Sequence, residues 1–314
     1  MRVLFWGTPD FASPALRALI GEGFDVVGVV TQPDRPVGRS RSRLEASPVK
    51  QIAEHQNLPV LQPERPRGEA FRASVAALEP DVSVVVAYGH ILPQDVIDLP
   101  TMGTLNIHAS LLPALRGAAP IQAAIRDGLT ETGVSIMRMV AALDAGPVVA
   151  RAATPIYDDE TTGELSLRLS EMGAAAVIEA LALLELDAAH EEPQDEARAT
   201  YAPKITRQMT RVDWRQPATV VSRVIRAYDP KPGAFTVLDG TEVKLFGARV
   251  APEARGRPGE VMAVDDGGLL VACGDGGTRL TAVQPAGKRR MDPAEWHRGR
   301  GITVGRLFDA APAV

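Results

Sequence analysis

Asn106 and His108 stand two residues apart in NIHASLLPALRGAAPIQ, residues 106–122. On an extended segment this spacing turns both side chains to one face. An amide can donate a hydrogen bond to an oxygen, and an imidazole can take or give a proton near neutral pH. The pair is a small catalytic kit if a reacting group sits above it. Asp144, in ALDAGP, adds a carboxylate just past a predicted strand end. Active sites of open α/β sheets gather at the carboxyl ends of strands. Each residue also has a plainer reading. A lone loop histidine is often only a satisfied polar group, and an Asp before Gly is usually a turn residue. A metal centre is not expected, because Asn is a weak ligand and no second His or Cys stands at ligand spacing.

The elements that must position these residues follow from the apolar pattern. RVLFW and DVVGVVTQ predict buried strands, with an apolar helical spacing in FASPALRALIGEG between them. QIAEHQNL predicts a helix and PVLQP a short strand. A helix over 68–78 precedes the strong strand PDVSVVVAYG. GTLNIHAS predicts a strand running into a loop, AAPIQAAIRDG a helix, and TGVSIMRM another strand. A long helix over 164–186 follows, with Glu179 interrupting its apolar side. Strands alternating with helices predict an α/β, Rossmann-like, doubly wound and mostly parallel sheet. The first turn, GTPDFA, carries Gly7 alone, so the close backbone approach that a dinucleotide pyrophosphate needs is missing.

The pattern changes near residue 190. A catalytic domain is expected over 1–189, a polar linker over 190–208, and a second domain over 209–314. The second domain shows one helix, a Pro-rich turn and about five short strands. LDGTE and DDGG are hairpin signals, and together these predict a small β-barrel of the oligonucleotide-binding style.

The 314 residues, 45% apolar and 23% charged, suit a globular chain of about two domains. The single cysteine, Cys273, excludes an intramolecular disulfide and a multi-cysteine zinc site. No signal peptide and no membrane span are expected, and a cytoplasmic monomer fits. The net charge of −5 argues against a general nucleic-acid coat. Two segments run against it. TQPDRPVGRSRSRLEASPVK holds Arg35, Arg39, Arg41, Arg43 and Lys50 against Asp34 and Glu45. Lys288, Arg289, Arg290, Arg298, Arg300 and Arg306 outweigh Asp292 and Glu295. Clustered arginines interact with phosphates bidentately, although a solvated surface loop has the same composition.

With NIHASLLPALRGAAPIQ stand GTPDFA, TQPDRPVGR, SPVK, VVVAYG and ETGVSIM, and RVDW and QPAGKRRM in the second half. On these motifs the chain resembles the folate-dependent formyltransferases, most specifically the methionyl-tRNA branch, over nearly its whole length. The resemblance implies 10-formyltetrahydrofolate as formyl donor, no metal, and the amino group of initiator methionyl-tRNA as acceptor. It implies catalytic roles for Asn106, His108 and Asp144, and folate contacts for the turn Ser110, Leu111, Leu112 and Pro113. It implies tRNA contacts for Arg35, Arg39, Arg41, Arg43, Lys50, Lys204, Lys288, Arg289 and Arg290. The chain departs from the family pattern at Ala109, where Gly is frequent. It departs again at Ala114 and Leu115, where many relatives carry a basic and an aromatic residue. Two other functions compete. An amino-sugar N-formyltransferase would give the basic segments no task, and a non-catalytic tRNA- or folate-binding module would not need Asn106, His108 and Asp144 together.

Overall fold

The computed structural model describes residues 1–37 and 43–309. Two expected tRNA contacts, Arg39 and Arg41, lie outside the described residues. The strands of the first half are β1 (Arg2–Gly7), β2 (Asp25–Val30), β3 (Arg35–Val37), β4 (Arg43–Glu45), β5 (Val60–Leu61), β6 (Val82–Val86), β7 (Thr104–His108), β8 (Arg116–Gly117), β9 (Glu131–Arg138) and β10 (Val148–Pro155). The helices are α1 (Ser13–Gly21), α2 (Pro48–His55), α3 (Glu69–Ala76), α4 (Gln94–Ile97), α5 (Pro120–Arg126) and α6 (Thr162–Glu185).

Seven strands make the main sheet in the order β10-β9-β7-β6-β1-β2-β5. β1 runs parallel to β2 and β6, and β6 parallel to β7. β9 is antiparallel to β7, so the sheet is mixed at that edge. All five residues of β6 are buried, as expected of a central strand covered on both faces. Leu4, Trp6, Val30, Val85 and Tyr88 share one core cluster with residues of α3 and α4. Burying an apolar side chain of this size contributes about 1.5–3 kcal/mol.

Two glycines shape the part that matters. A Cβ on Gly7 would lie 2.7 Å from the Cβ of Ala12, so this glycine permits a tight turn off β1. A Cβ on Gly173 would lie 2.8 Å from Cγ2 of Ile107. Gly173 therefore lets α6 press closely on β7. Ile107 points to the helix, and Asn106 and His108, one residue to either side, point to the opposite face. Glu179 is exposed, so the interruption in the apolar pattern of α6 faces solvent.

The segment after α6, where a linker over 190–208 is expected, makes hydrogen bonds of its own. Glu192 exchanges two backbone hydrogen bonds with Val148, at 2.8 and 2.9 Å. Arg138 Nε donates to Glu191 Oε1 at 2.7 Å. The backbone N–H of Arg116 donates to the Thr200 carbonyl at 2.8 Å. Residues 191–200 are thus bonded into the first unit. The chain also divides discontinuously. One unit is 1–117, 132–154 and 166–201; the other is 118–131, 155–165 and 202–314. A boundary drawn by composition is linear and cannot show such crossings.

After β11 (Tyr201–Ala202), at which the first unit ends, the second unit continues with α7 (Ala218–Ala227), β12 (Ala234–Leu238), β13 (Thr241–Ala251), β14 (Val261–Asp265), β15 (Gly268–Ala272), β16 (Gly277–Pro285) and α8 (Pro293–Arg298). Its antiparallel sheet has the order β12-β13-β16-β15-β14. Asp239 and Gly240 both have positive φ, 50° and 73°, which is the turn the LDGTE signal predicts between β12 and β13. The edge strands β12 and β14 are joined by the segment 305–309. Gly305 N donates to Val261 O and Phe308 N to Gly259 O, while Asp309 N donates to Val237 O on β12. Phe308 stacks on Trp214 with centroids 5.6 Å apart.

Candidate active site

β7 delivers Asn106 and His108 to one face at its carboxyl end. His108 is the last residue of the strand and pairs across to Ser135 of β9; Asn106 pairs to Met137. His108 is buried and Asn106 half-buried. The Asn106 side-chain amide makes no hydrogen bond among the described residues, so both its donors are available to a ligand.

Asp144 lies in the loop after β9 with φ +48°, a left-handed conformation that aspartate tolerates better than most residues. Its Oδ2 stands 3.8 Å from Nδ1 of His108 and accepts from the Gly117 backbone N–H at 2.8 Å. The separation from His108 exceeds a hydrogen bond. The other imidazole nitrogen, Nε2, is 3.0 Å from the Leu115 carbonyl oxygen. A carbonyl only accepts, so Nε2 carries a hydrogen and Nδ1 is the nitrogen left to exchange a proton. Leu115, not Asp144, fixes the ring.

Leu115 and Gly117, on either side of Arg116, therefore touch the basic and the acidic member of the site. Leu115 itself has φ +59°, and its N–H donates to Thr200 Oγ1 at 2.8 Å. Arg116 is 2% exposed. Its guanidinium bonds Gln194 Oε1 and, bidentately, Glu196. The hydrogen bond to Glu196 raises the Arg116 pKa further and holds the Glu196 carboxyl below its ordinary range. Neither Arg116 nor Gln194 was singled out by the sequence. Arg116 lies inside the quoted motif, but Gln194 sits in a polar stretch with no periodic signal.

The turn Ser110–Pro113 is firmly built in. Ser110 Oγ donates to the Ala114 carbonyl at 2.5 Å, and Ser135 Oγ donates to the Ser110 carbonyl at 2.7 Å. Leu112 packs with Met137 and Val148, and its N–H donates to Ser135 Oγ at 3.0 Å. Ser110 and Leu112 are buried; Leu111 and Pro113 are half-exposed and face outward in part. Ala109, Ala114 and Leu115, the three departures from the family pattern, are buried or half-buried in this same structure.

The basic stretch is more ordered at its base than its composition suggests. β3 and β4 pair antiparallel, Arg35 opposite Glu45 and Val37 opposite Arg43. Thr31 Oγ1 and Ser47 Oγ are 2.7 Å apart, and Ser47 caps α2 by accepting from Lys50 N. Arg35 and Arg43 are exposed. Lys50 is different: its side chain is 16% exposed and its Nζ sits 2.7 Å from Asp34 Oδ2. Gln62 Nε2 donates to Asp34 Oδ1 at 2.8 Å. Lys50 braces the loop rather than presenting a free charge. Its ammonium lowers the Asp34 pKa by hydrogen bonding, and Asp34 raises that of Lys50.

In the second unit Lys204 and Lys288 are exposed. Arg289 is exposed and ion-paired with Glu295 at 2.7 Å. Arg290 lies 4.0 Å over the Phe246 ring and 3.3 Å from Asp229 Oδ1, so it is half-committed to packing. Among the described residues no group of three or more His, Cys, Asp and Glu side chains is placed to hold a metal ion, and no helix is long and apolar enough to cross a membrane.

Two family models match the chain: formyl transferase over residues 1–181, and formyl transferase, C-terminal domain, over 204–301. A methionyl-tRNA formyltransferase of Thiobacillus denitrificans is 48% identical over 99% of this chain and 100% of its own length. The solved HypX of Aquifex aeolicus in complex with tetrahydrofolic acid is similar at TM-score 0.67 and 24% identity, over 94% of this chain and 46% of that one. This chain thus spans about half of HypX. An N-formyltransferase of Helicobacter canadensis, in complex with folinic acid and dTDP-3-aminofucose, has TM-score 0.68 at 14% identity over 92% of this chain and 99% of that one. With an α/β first unit carrying Asn106, His108 and Asp144 and a second unit built on an antiparallel sheet, both matched along their lengths, the chain belongs to the formyl transferase family.

Proposed function

We propose that this chain transfers the formyl group of 10-formyltetrahydrofolate to the amino group of methionine on initiator methionyl-tRNA, as a cytoplasmic monomer. The observation that carries the reading is the approach of His108 Nδ1 to Asp144 Oδ2 at 3.8 Å on the strand face that also presents the uncommitted Asn106 amide. All three residues come from one chain, so a monomer suffices.

The acceptor amine attacks the formyl carbon. A C–N bond forms to the amine, and the carbonyl oxygen takes up negative charge. Asn106 donates to that oxygen; one such donor is worth about 2.7–4 kcal/mol in other enzymes. The proton lost by the amine passes to Asp144, directly or through a water. His108 Nδ1, unprotonated in this tautomer, takes that proton over from Asp144 and passes it to the departing folate nitrogen as the old C–N bond breaks. Asp144, close to Nδ1, stabilises the imidazole when it is charged. The folate meets the 110–113 turn through the half-exposed Leu111 and Pro113, since Ser110 and Leu112 are turned into the protein. Much of the remaining acceleration comes from holding two bulky substrates together.

The polyanionic acceptor is supported by the exposed Arg35 and Arg43 on the β3–β4 ribbon and by Lys204, Lys288 and Arg289. An amino-sugar acceptor would leave these cations without a task. The test is formyl transfer from 10-formyltetrahydrofolate to charged initiator tRNA, beside uncharged tRNA and a nucleotide-linked amino sugar. Product on charged tRNA alone supports the reading; product on the sugar alone overturns it.

A further inference from the structure

We propose that Gln194 is a positioning residue that sets the Asp144 carboxylate for proton transfer, and that Arg116 holds Gln194 in place. The proposal rests on the active-site reading above. Gln194 lies in neither of the regions matched by family models, which end at 181 and resume at 204.

The geometry is specific. The two N–H groups of one amide, Gln194 Nε2, donate to two backbone carbonyls, Asp144 O at 2.8 Å and Gly146 O at 2.7 Å. These carbonyls flank the left-handed Asp144 turn, so one side chain spans and fixes it. The turn has no slack on its other side, because a Cβ on Gly146 would lie 1.9 Å from the Arg138 carbonyl oxygen. The amide's own oxygen accepts from Arg116 Nε at 3.0 Å and Nη2 at 2.8 Å, which decides which end of the Gln194 amide faces Asp144. Arg116 cannot swing away, since it is buried and also bonded to Glu196. The same backbone then closes the circuit, as Gly117 N–H donates to Asp144 Oδ2.

Without Gln194 the Asp144 turn keeps the Gly117 hydrogen bond to its carboxylate, a long 3.4 Å bond from Ala145 N to Ala142 O, and the Arg138 N bond to Pro147 O, and none of these holds the Asp144 carbonyl. A left-handed non-glycine residue persists only where its surroundings over-determine it. A displacement near 1 Å of a reacting group costs about 10²-fold in rate. The Gln194 amide is spent on the Asp144 and Gly146 carbonyls and on Arg116, so binding of both substrates is expected to survive its removal.

The experiment compares wild type, Gln194→Met and Gln194→Glu in the formyl-transfer assay. Met keeps the bulk of the side chain and removes both donors. Glu keeps an acceptor for Arg116 but cannot donate to the two carbonyls. Both variants are expected to lose about 10–100-fold in kcat while KM for the formyl donor and for charged tRNA stays within about twofold. The pH profile of kcat should change shape as well, because the carboxylate no longer sits at a fixed distance from His108. Circular dichroism and Tm establish that the variants are folded. Wild-type kcat with an unchanged pH profile in a folded Gln194→Met would overturn the proposal, and so would a rise in KM with kcat unaltered. If both variants fail to fold, Gln194→Asn, shorter by one methylene, is assayed instead, and full kcat in it overturns the proposal. Failure of wild type to formylate charged tRNA would strike the proposed function itself, a different result from any of these.

Discussion

His108 presents Nδ1 to Asp144 at 3.8 Å while Leu115 holds its Nε2 at 3.0 Å. The two nitrogens thus have different tasks. One is fixed in a hydrogen bond and the other faces a carboxylate, where the proposed mechanism has it exchange protons. Asp144→Asn tests this division. The amide oxygen can still accept from Gly117, so the loop should stay in place, but the negative charge is gone. We expect kcat to fall by about 10²-fold or more with Tm little changed. A variant with near-normal kcat would remove the carboxylate from the chemistry.

Asn106→Ala removes the one uncommitted amide on that face. Loss of an oxyanion donor predicts a fall in kcat of about 10²–10³-fold. Affinity for charged tRNA should be nearly unchanged, and the fold should survive, since the Asn106 side chain makes no hydrogen bond among the described residues. Single-turnover rates and equilibrium tRNA binding, measured separately, check both halves of the expectation.

The basic loop and its brace should respond differently to salt. Replacing Arg39, Arg41 and Arg43 with alanine should weaken tRNA binding and flatten the log–log salt dependence, by roughly one unit of slope for each phosphate no longer neutralised. Lys50→Met should lower affinity through a looser loop base while leaving the slope as it was, because Lys50 is already paired with Asp34. Binding isotherms at several salt concentrations separate the two. A Lys50→Met slope reduced by a full unit would make Lys50 a phosphate ligand after all.

The Asp34–Lys50 brace also sets a pH window. Asp34 has a folded pKa below its ordinary value of 3.8, so its contribution is present above that value and is lost as pH falls through the folded one. Lys50 is raised above 10.5, so its contribution is present below that value and is lost as pH rises through the folded one. Protection of the α2 amides from hydrogen exchange should hold between these limits and drop at either end. In Asp34→Asn the acid-side drop should vanish.

Phe308 fastens the segment 305–309 to the second unit. It is buried, stacks on Trp214, and follows the residues that bond β14. Phe308→Ala should destabilise by about 3–5 kcal/mol, as deletion of a buried aromatic ring typically does. Urea denaturation, followed by tryptophan fluorescence, reads this loss. A loss below about 1 kcal/mol would mean that the segment only rests on the sheet.

Much of this was legible in the order of residues alone. The apolar runs of β1, β2 and β6 and the long helix α6 are decided locally, because burial on both faces demands uninterrupted apolar stretches and amphipathic helices demand their period. Asn106 and His108 share a face because a strand alternates, which needs no tertiary knowledge. The LDGTE turn is equally local: Asp and Gly accept positive φ where other residues resist it.

Tertiary structure decided the rest. β10, α4 and α8 carry weak or short patterns, and their existence depends on what they pack against. That Asp144 meets His108 is a matter of β9 pairing antiparallel to β7, which brings residues 36 apart in the chain to one place. That Lys50 is a brace, whereas Arg43 is exposed, depends on where Asp34 lies. The role of Gln194 is the extreme case. Its sequence surroundings, EEPQDEAR, have the composition of a solvated linker. Only the buried guanidinium of Arg116 and the two carbonyls beside Asp144 make it a structural element, and hydrogen bonds between residues 50 and 78 positions apart leave no periodic trace in a sequence.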